Sequence, residues 1–415
     1  MNILILDTIH GGIILGDALR DMGHAVDLVD VYRGDLTCQG SIPGETAISK
    51  TYDLLIHPVH LDPANPILRS IACPSITHHE AVRWILHSQI QQNFLQCGFW
   101  IEVSGARGKT TTATALASIM QGSGILHSSR GIYRYPEEEY ITRMSITPAS
   151  LIPVKDLLKE NEWCIAEISL GFTGLCDIAI LTSHEDYQVA AGKLSARTLK
   201  HLSALSCKKV LVAPDVSFVH DSVINAGDVA RVCGTTCMYS FNGIEGSYEN
   251  LLLTLEGYRV PLQLATAAAL ILGYNPEGLQ NFPSLPGRMK IEKIDGRMII
   301  DNASTGACLK TTCDAISLLR NSHDENFQYT LIIGQEARAV CENFSDEEII
   351  GVINKEHPNQ VILVAGDDRM DTSTISDACK KQTIPITISH SIPEGMHIAK
   401  QMPSCPIVVS VKTWR

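Results

Sequence analysis

Short apolar runs alternate along the chain with amphipathic stretches of helical period, and that alternation predicts an α/β protein. Asn2 to Leu6 is wholly apolar and ends at Asp7, a helical pattern after Gly11-Gly12 runs from about Ile14 to Met22 and stops at Gly23, and Ala25 to Val29 is apolar again before Asp30. Strand, helix and strand in that order begin a doubly wound sheet. Further strands are expected at Asp53 to Ile56 and Pro74 to Thr77, with a helix around Glu80 to Ile90. Beyond these, Phe99 to Val103, Gly124 to His127, Trp163 to Ile168, Asp177 to Leu181 and Lys209 to Ala213 read as buried strands. Helices are expected from Lys109 to Met120, over Ser150 to Asn161 with Ser150 as N-cap, over Leu194 to Ser206, and over the alanine-rich Leu262 to Leu272. A polar loop carrying Arg130, Arg134 and Arg143 separates the strand at Gly124 from the helix at Ser150.

Near the C-terminus, Met289 to Ile294 and Arg297 to Asp301 pair as a hairpin around Asp295-Gly296. Strands at Thr330 to Ile333, Gln360 to Val364, Ile384 to Ile388 and Pro406 to Val411 then alternate with helices, which makes a second α/β sheet. The chain of 415 residues exceeds one core of usual size. The pattern shifts place three domains at 1–96, 97–282 and 283–415.

Composition narrows the partners. Hydrophobic residues make up 45% and charged ones 19%, as in ordinary globular proteins, and the net charge of −12 argues against a nucleic-acid or anionic-membrane partner. The thirteen cysteines are scattered with no C-x-x-C pair, so free thiols in a reducing cytosol are expected. Met1 to Asp7 has no basic lead, and the uncharged stretch Val260 to Asn275 is too short to span a bilayer. A cytoplasmic protein is the expectation.

The sharpest chemical signal is Gly105-Ala-Arg-Gly-Lys-Thr110, lying between an expected strand and an expected helix. A turn of this kind aims backbone N–H groups at phosphate, with the helix N-terminus adding positive potential. Gly105, Ala106, Arg107, Gly108, Lys109, Thr110 and Thr111 are therefore candidate nucleotide-binding residues, Lys109 for the terminal phosphates and Thr110 for magnesium. Position 103, where the longer phosphate-loop pattern has glycine, is Val103. Glu167 stands alone near the end of an apolar strand, where it needs a metal or an arginine to offset burial. Arg288, in Pro-Gly-Arg at the expected hinge, suits a clamp on phosphate or an ordinary surface position. Asp301 ends a strand, where a ribose contact and a helix cap are both open. His57, His60, His78 and His79 read as solvated loop histidines in preference to a nickel or zinc site, and Arg130, Arg134 and Arg143 as either an anion-binding wall or a solvated face.

The order of these motifs resembles that of the Mur ligases, with folylpolyglutamate synthase as a relative. Val103 to Thr111 resembles their phosphate loop, Ala166-Glu-Ile-Ser169 the strand with their magnesium-binding glutamate, Cys176 to Asp186 their strand running into an Asp-His pair, and Pro286-Gly-Arg288 with Ile300-Asp301 their ATP-holding arginine and aspartate. Tyr187 stands where the family has histidine, the His-Asn pair before the alanine-rich helix is replaced around Pro261 to Gln263, and no glycine loop for uridine diphosphate is present in the first domain. Lys193 and Lys200 are both candidates for the family's carbamylated lysine. The resemblance implies a Rossmann-like N-terminal domain, a central P-loop ATPase domain with a parallel sheet, and a C-terminal α/β Rossmann-like domain closing over the nucleotide. It further implies ATP and Mg²⁺ as cofactors, Lys109, Glu167 and Arg288 as catalytic residues, Thr110 and Glu167 as metal ligands, and Arg288 and Asp301 as ATP contacts. The expected chemistry is transfer of phosphate from ATP to a carboxylate. Across its whole length the chain is similar to a Mur-like branch that completes a nickel tetrapyrrole of methanogenesis, which implies a polycarboxylate substrate carrying its own nickel. A Mur-type amide ligase and a P-loop switch that binds nucleotide without turnover stay open.

Overall fold

The computed structural model describes residues 1–91, 98–320, 327–336, 343–366 and 370–413; the expected boundary at Gln96 lies outside them. The chain divides into two compact units, Met1–Glu249 with Val260–Gln280, and Asn250–Arg259 with Asn281–Arg415. Among the described residues, no helix is long and apolar enough to cross a membrane.

The first unit begins with a parallel four-stranded sheet in the spatial order Ala25–Leu28, Asn2–Ile5, Leu54–His57, Ser75–Thr77. Chain direction across the sheet reverses between Asn2–Ile5 and Leu54–His57, so the crevice past their carboxyl ends is where such a sheet takes a ligand. The first strand gives way to helix Gly12–Asp21 through a tight turn. The buried Asp7 carboxylate accepts from the backbone N–H groups of Ile9 at 3.0 Å, His10 at 2.9 Å and Gly12 at 2.8 Å. A Cβ at Gly12 would lie 2.1 Å from the Asp7 carbonyl oxygen, so the turn admits only glycine there.

An eight-stranded sheet follows, ordered Val223–Asn225, Val210–Val212, Ile178–Leu181, Trp100–Ser104, Trp163–Glu167, Gly124–Ser128, Gly131–Tyr135, Glu139–Thr142. Its last two strands run antiparallel through the segment expected to be a polar loop. The last of them is the edge strand, where the exposed Tyr140 and Thr142 hide the strand pattern. The expected helix over Ser150 to Asn161 is shorter, Leu151–Leu157. Ser150 does not cap it, because its hydroxyl donates to the Thr147 carbonyl at 2.6 Å and pairs with His127 Nε2 at 2.9 Å. The expected helix from Leu194 starts as a two-residue strand, and helix Ala196–Ala204 is capped by Ser195, whose oxygen accepts from Thr198 N–H. The alanine-rich helix is longer than expected, Glu256–Ile271, with Pro261 inside it. A three-stranded antiparallel sheet, Ala230–Cys233, Thr236–Phe241 and Ile244–Glu249, had no forecast from sequence, since it is short and largely polar.

The two larger sheets of this unit share one core. Ile3, Ile5, Leu15, Leu28, Ile56, Val82 and Ile85 join Ile125, Ile132, Leu151, Cys164 and Ile168 in one buried cluster. Polar ties cross the same junction: His79 Nε2 pairs with the Ser169 carbonyl at 3.0 Å, and Lys193 Nζ donates to both Asp62 oxygens at 2.7 and 2.8 Å. His78 and His79 are thus buried, against the expectation of solvated loops, because helix His78–Gln91 starts inside the junction.

The second unit carries a six-stranded sheet, Lys290–Ile294, Arg297–Asp301, Ile407–Lys412, Thr330–Gln335, Gln360–Ala365, Ile386–Ser389, parallel except for the first pair. That pair is the expected hairpin, with Asp295 and Gly296 both at positive φ (52° and 78°), as a tight two-residue turn requires. The described cysteines of both units are free thiols, most of them buried.

Burial makes the fold sensitive to mild acid. His79 and His127 are pushed down to about 4 and His78 to about 3, in each case chiefly by loss of hydration for the imidazolium. The unfolded chain then binds more protons than the native one as pH falls below about 6.5, so protonation favours unfolding. Stability is expected to be level above pH 7 and to fall between pH 6.5 and 4, by about 1.4 kcal/mol per pH unit for each such group at most. Urea titrations from pH 8 to 5 measure this, and His127→Gln should flatten the slope; an unchanged midpoint at pH 5 would refute it.

Candidate functional site

The phosphate loop grows from the middle of the eight-stranded sheet. Strand Trp100–Ser104 lies between Ile178–Leu181 and Trp163–Glu167, with Ser104 level with Leu181 and Val103 level with Glu167. This register sets the loop and Glu167 at one carboxyl edge. The turn is held from the neighbouring strand: Ser183 Oγ accepts from the N–H of Ala106 at 3.0 Å and of Arg107 at 3.3 Å. A Cβ at Gly105 would come within 2.1 Å of Thr182 Oγ1, so glycine is required where loop and strand touch. Gly108, at φ 79°, is the N-cap of helix Lys109–Ala117, which ends sooner than Met120. Thr111 is buried in its first turn.

Lys109 Nζ donates to the carbonyls of Gly105 at 3.0 Å and Ala106 at 3.4 Å, folding its charge over the loop it belongs to. Thr110 Oγ1 donates to Glu167 Oε2 at 2.8 Å and lies 3.1 Å from Ser129 Oγ. The same Glu167 oxygen accepts from Ser129 N–H at 3.0 Å. Glu167 is 2% exposed, and its burial is offset by the Thr110 hydroxyl and the Ser129 N–H. A hydroxyl and a carboxylate held together at a helix N-terminus are hard oxygen donors, the set that suits a magnesium ion beside phosphate. Among the described residues, no group of three or more His, Cys, Asp or Glu could hold a metal ion without such help.

Other expected residues are placed as follows. Asp186 accepts from the N–H of Tyr187 and Arg197 (both 2.9 Å) and from Ser195 Oγ at 2.7 Å, and so organises its own loop; His184 pairs with Asp215. Lys193 engages Asp62, whereas Lys200 is buried with its Nζ 4.5 Å over the Tyr187 ring. The arginines do not form one wall. Arg130 lies over Tyr133, Arg134 pairs with the buried Glu162 and donates to the Leu157 carbonyl at 2.7 Å, and Arg143 is exposed. In the second unit, the Asp301 carboxylate accepts from Gly287 N–H and Ala303 N–H, both at 3.1 Å, and thereby fixes the Pro286-Gly287-Arg288 turn to the hairpin. A Cβ at Gly287 would lie 2.3 Å from the Ala303 carbonyl oxygen. Tyr258 Oη donates to the Arg288 carbonyl, which leaves the turn anchored on both sides.

Sequence reasoning missed Ser129 and Ser183. Both are common residues on segments remote in sequence from the loop; only the strand register brings them to it.

Comparison with known proteins bears on the family and the fold. A family model described as "Coenzyme F430 synthetase CfbE, C-terminal domain" matches residues 291–413. The coenzyme F(430) synthetase of Methanosarcina acetivorans is 30% identical, covering 99% of this chain and 98% of its own. Among solved structures, Escherichia coli FolC in complex with DHPP and ADP superposes with a TM-score of 0.59 at 15% identity, over 81% of this chain and 89% of that one. A murein peptide ligase from Psychrobacter arcticus gives 0.51 at 14% identity, over 100% and 95%. The fold is therefore that of the Mur ligases and folylpolyglutamate synthases.

Proposed function

Since the chain belongs to the coenzyme F(430) synthetase family and is an ATP-dependent ligase, we propose that it activates a propionate carboxylate of a nickel tetrapyrrole seco-acid and closes a carbocyclic ring on it. The carboxylate oxygen attacks the γ-phosphorus of ATP, and ADP leaves. A carbon at the ring periphery then gives up its proton and attacks the acyl phosphate; a C–C bond forms, the C–O bond to phosphate breaks, and a cyclic ketone and inorganic phosphate result. The nickel travels with the substrate. The single observation that carries the phosphoryl half is the meeting of Thr110, Glu167 and Ser129 under the loop that holds Lys109.

In this reading the amides of Gly105 to Thr111 hold the phosphates, and Lys109 leaves its loop carbonyls for the charge that develops on the transferring group. Thr110 and Glu167 would hold Mg²⁺, which supplies charge neutralisation at the phosphates. Glu167 is then a ligand and not a base. Arg288 and Asp301 enter through the family resemblance as further ATP contacts. Tethering of the nucleophile to the substrate removes any need for an amine site. The enzyme works in the cytoplasm, where ATP is supplied.

The test is ADP release by the purified protein with Mg-ATP and the nickel seco-acid, with and without amines. Release that needs the tetrapyrrole acid and no amine is expected. Dependence on an amine would instead mark an amide ligase, and nucleotide binding without turnover a switch.

A further inference from the structure

The first sheet holds an imidazole group that the phosphoryl chemistry leaves unused. His10 sits in the turn after strand Asn2–Ile5 and His60 in the segment after Leu54–His57, at the carboxyl ends of the two strands where the sheet reverses direction. Their rings meet edge to face, with centroids 4.5 Å apart, and the Tyr32 ring lies 4.8 Å from His10 and stacks with His60 at 6.2 Å. His78 is buried behind them, its Nε2 without a hydrogen-bond partner.

His10 is prepared in a particular way. Its Nδ1 pairs with Asp7 Oδ1 at 3.1 Å, and the carboxylate is itself fixed by three backbone N–H groups. In the tautomer in which Nδ1 donates to the Asp7 carboxylate, Nε2 carries the lone pair of the ring. A carboxylate behind an imidazole is the arrangement that orients and strengthens a metal-binding histidine. The partner set for a protein-held ion is missing, however, since no three-ligand group occurs among the described residues. Such a histidine suits a metal that arrives with its other positions filled, as in a macrocycle that supplies four nitrogens and leaves an axial site.

We propose that His10 binds the tetrapyrrole substrate through Nε2 as an axial ligand of its nickel, with Tyr32 and His60 packed beside it at the switch point of the first sheet. This rests on the nickel tetrapyrrole reading above. The same imidazole group is tied to the phosphate site: His79, next to His78, pairs with the carbonyl of Ser169, which follows Glu167 by two residues. The two sheets that carry these groups share one buried cluster.

The experiment compares the nickel seco-acid with its metal-free form, titrated into the full chain and into His10→Ala, read by visible absorption. Wild-type protein is expected to shift the nickel compound's band as free imidazole does, and to bind it at least about tenfold more tightly than the metal-free form. His10→Ala is expected to lose the shift and the tenfold preference, keep its affinity for the metal-free form and for Mg-ATP, and regain the shift with added imidazole. Equal binding of both forms by the wild type, or a shift that survives in His10→Ala, overturns the assignment. Tetrapyrrole-dependent ADP release with no nickel shift would overturn His10 alone, whereas the absence of both would remove the functional reading with it.

Discussion

Replacing Lys109 with alanine is expected to lower substrate-dependent ADP release by about 10³-fold or more while leaving the thermal midpoint unchanged. In the resting loop the ammonium donates to the carbonyls of the buried Gly105 and the partly exposed Ala106, and Lys109 is itself partly exposed, so water can take its place when it is removed. Folding therefore loses little. The transition state loses a preorganised charge at the place where negative charge spreads over the transferring phosphoryl group, and single donors of that kind are worth about 10²- to 10³-fold before the full charge of an ammonium is counted. Lys109→Arg separates charge from shape: a planar guanidinium cannot fold into the same tight turn, so little activity should return. A Lys109→Ala protein with wild-type turnover would mean that the loop binds an anion unrelated to catalysis.

Much of this site was legible in the sequence because its signals are local. Gly105, Gly108, Lys109 and Thr110 lie within one turn, so their spacing reports the geometry directly, and the structure gives each glycine a steric or conformational reason. Glu167 was legible for a different reason: a carboxylate in an apolar strand needs donors, whichever they are. What could not be read were the donors themselves. Ser129 reaches Glu167 only because Gly124–Ser128 pairs with Trp163–Glu167, and Ser183 reaches the loop only through the pairing of Ile178–Leu181 with Trp100–Ser104. The edge strand Glu139–Thr142 was hidden by the polar residues that an edge tolerates. The histidines failed in the same manner as the serines: His10 and His60 are far apart along the chain, and their contact is a property of sheet order.

Glu167→Gln is the sharper test of how the charge is managed. The glutamine retains an oxygen that can accept from Thr110 and from Ser129 N–H, so the buried hydrogen bonds survive and the fold with them. It loses the negative charge. A carboxylate that only buttresses Thr110 would be replaced at small cost, whereas a magnesium ligand would not, because a neutral amide oxygen binds a hard divalent cation far more weakly. The expected result is a rise of at least about tenfold in the Mg²⁺ concentration for half-maximal activity, with turnover at saturating Mg²⁺ down by roughly 10²-fold. Glu167→Ala adds a stability loss of about 1–3 kcal/mol, since it removes the acceptor shared by a buried hydroxyl and a backbone N–H. The difference between the two variants in urea midpoint isolates the hydrogen-bonding role, and their shared Mg²⁺ dependence isolates the metal role. Were Glu167→Gln to keep the wild-type Mg²⁺ dependence, Glu167 would be a structural acceptor for Thr110, and the ion would have to be held by the nucleotide and Thr110 without it.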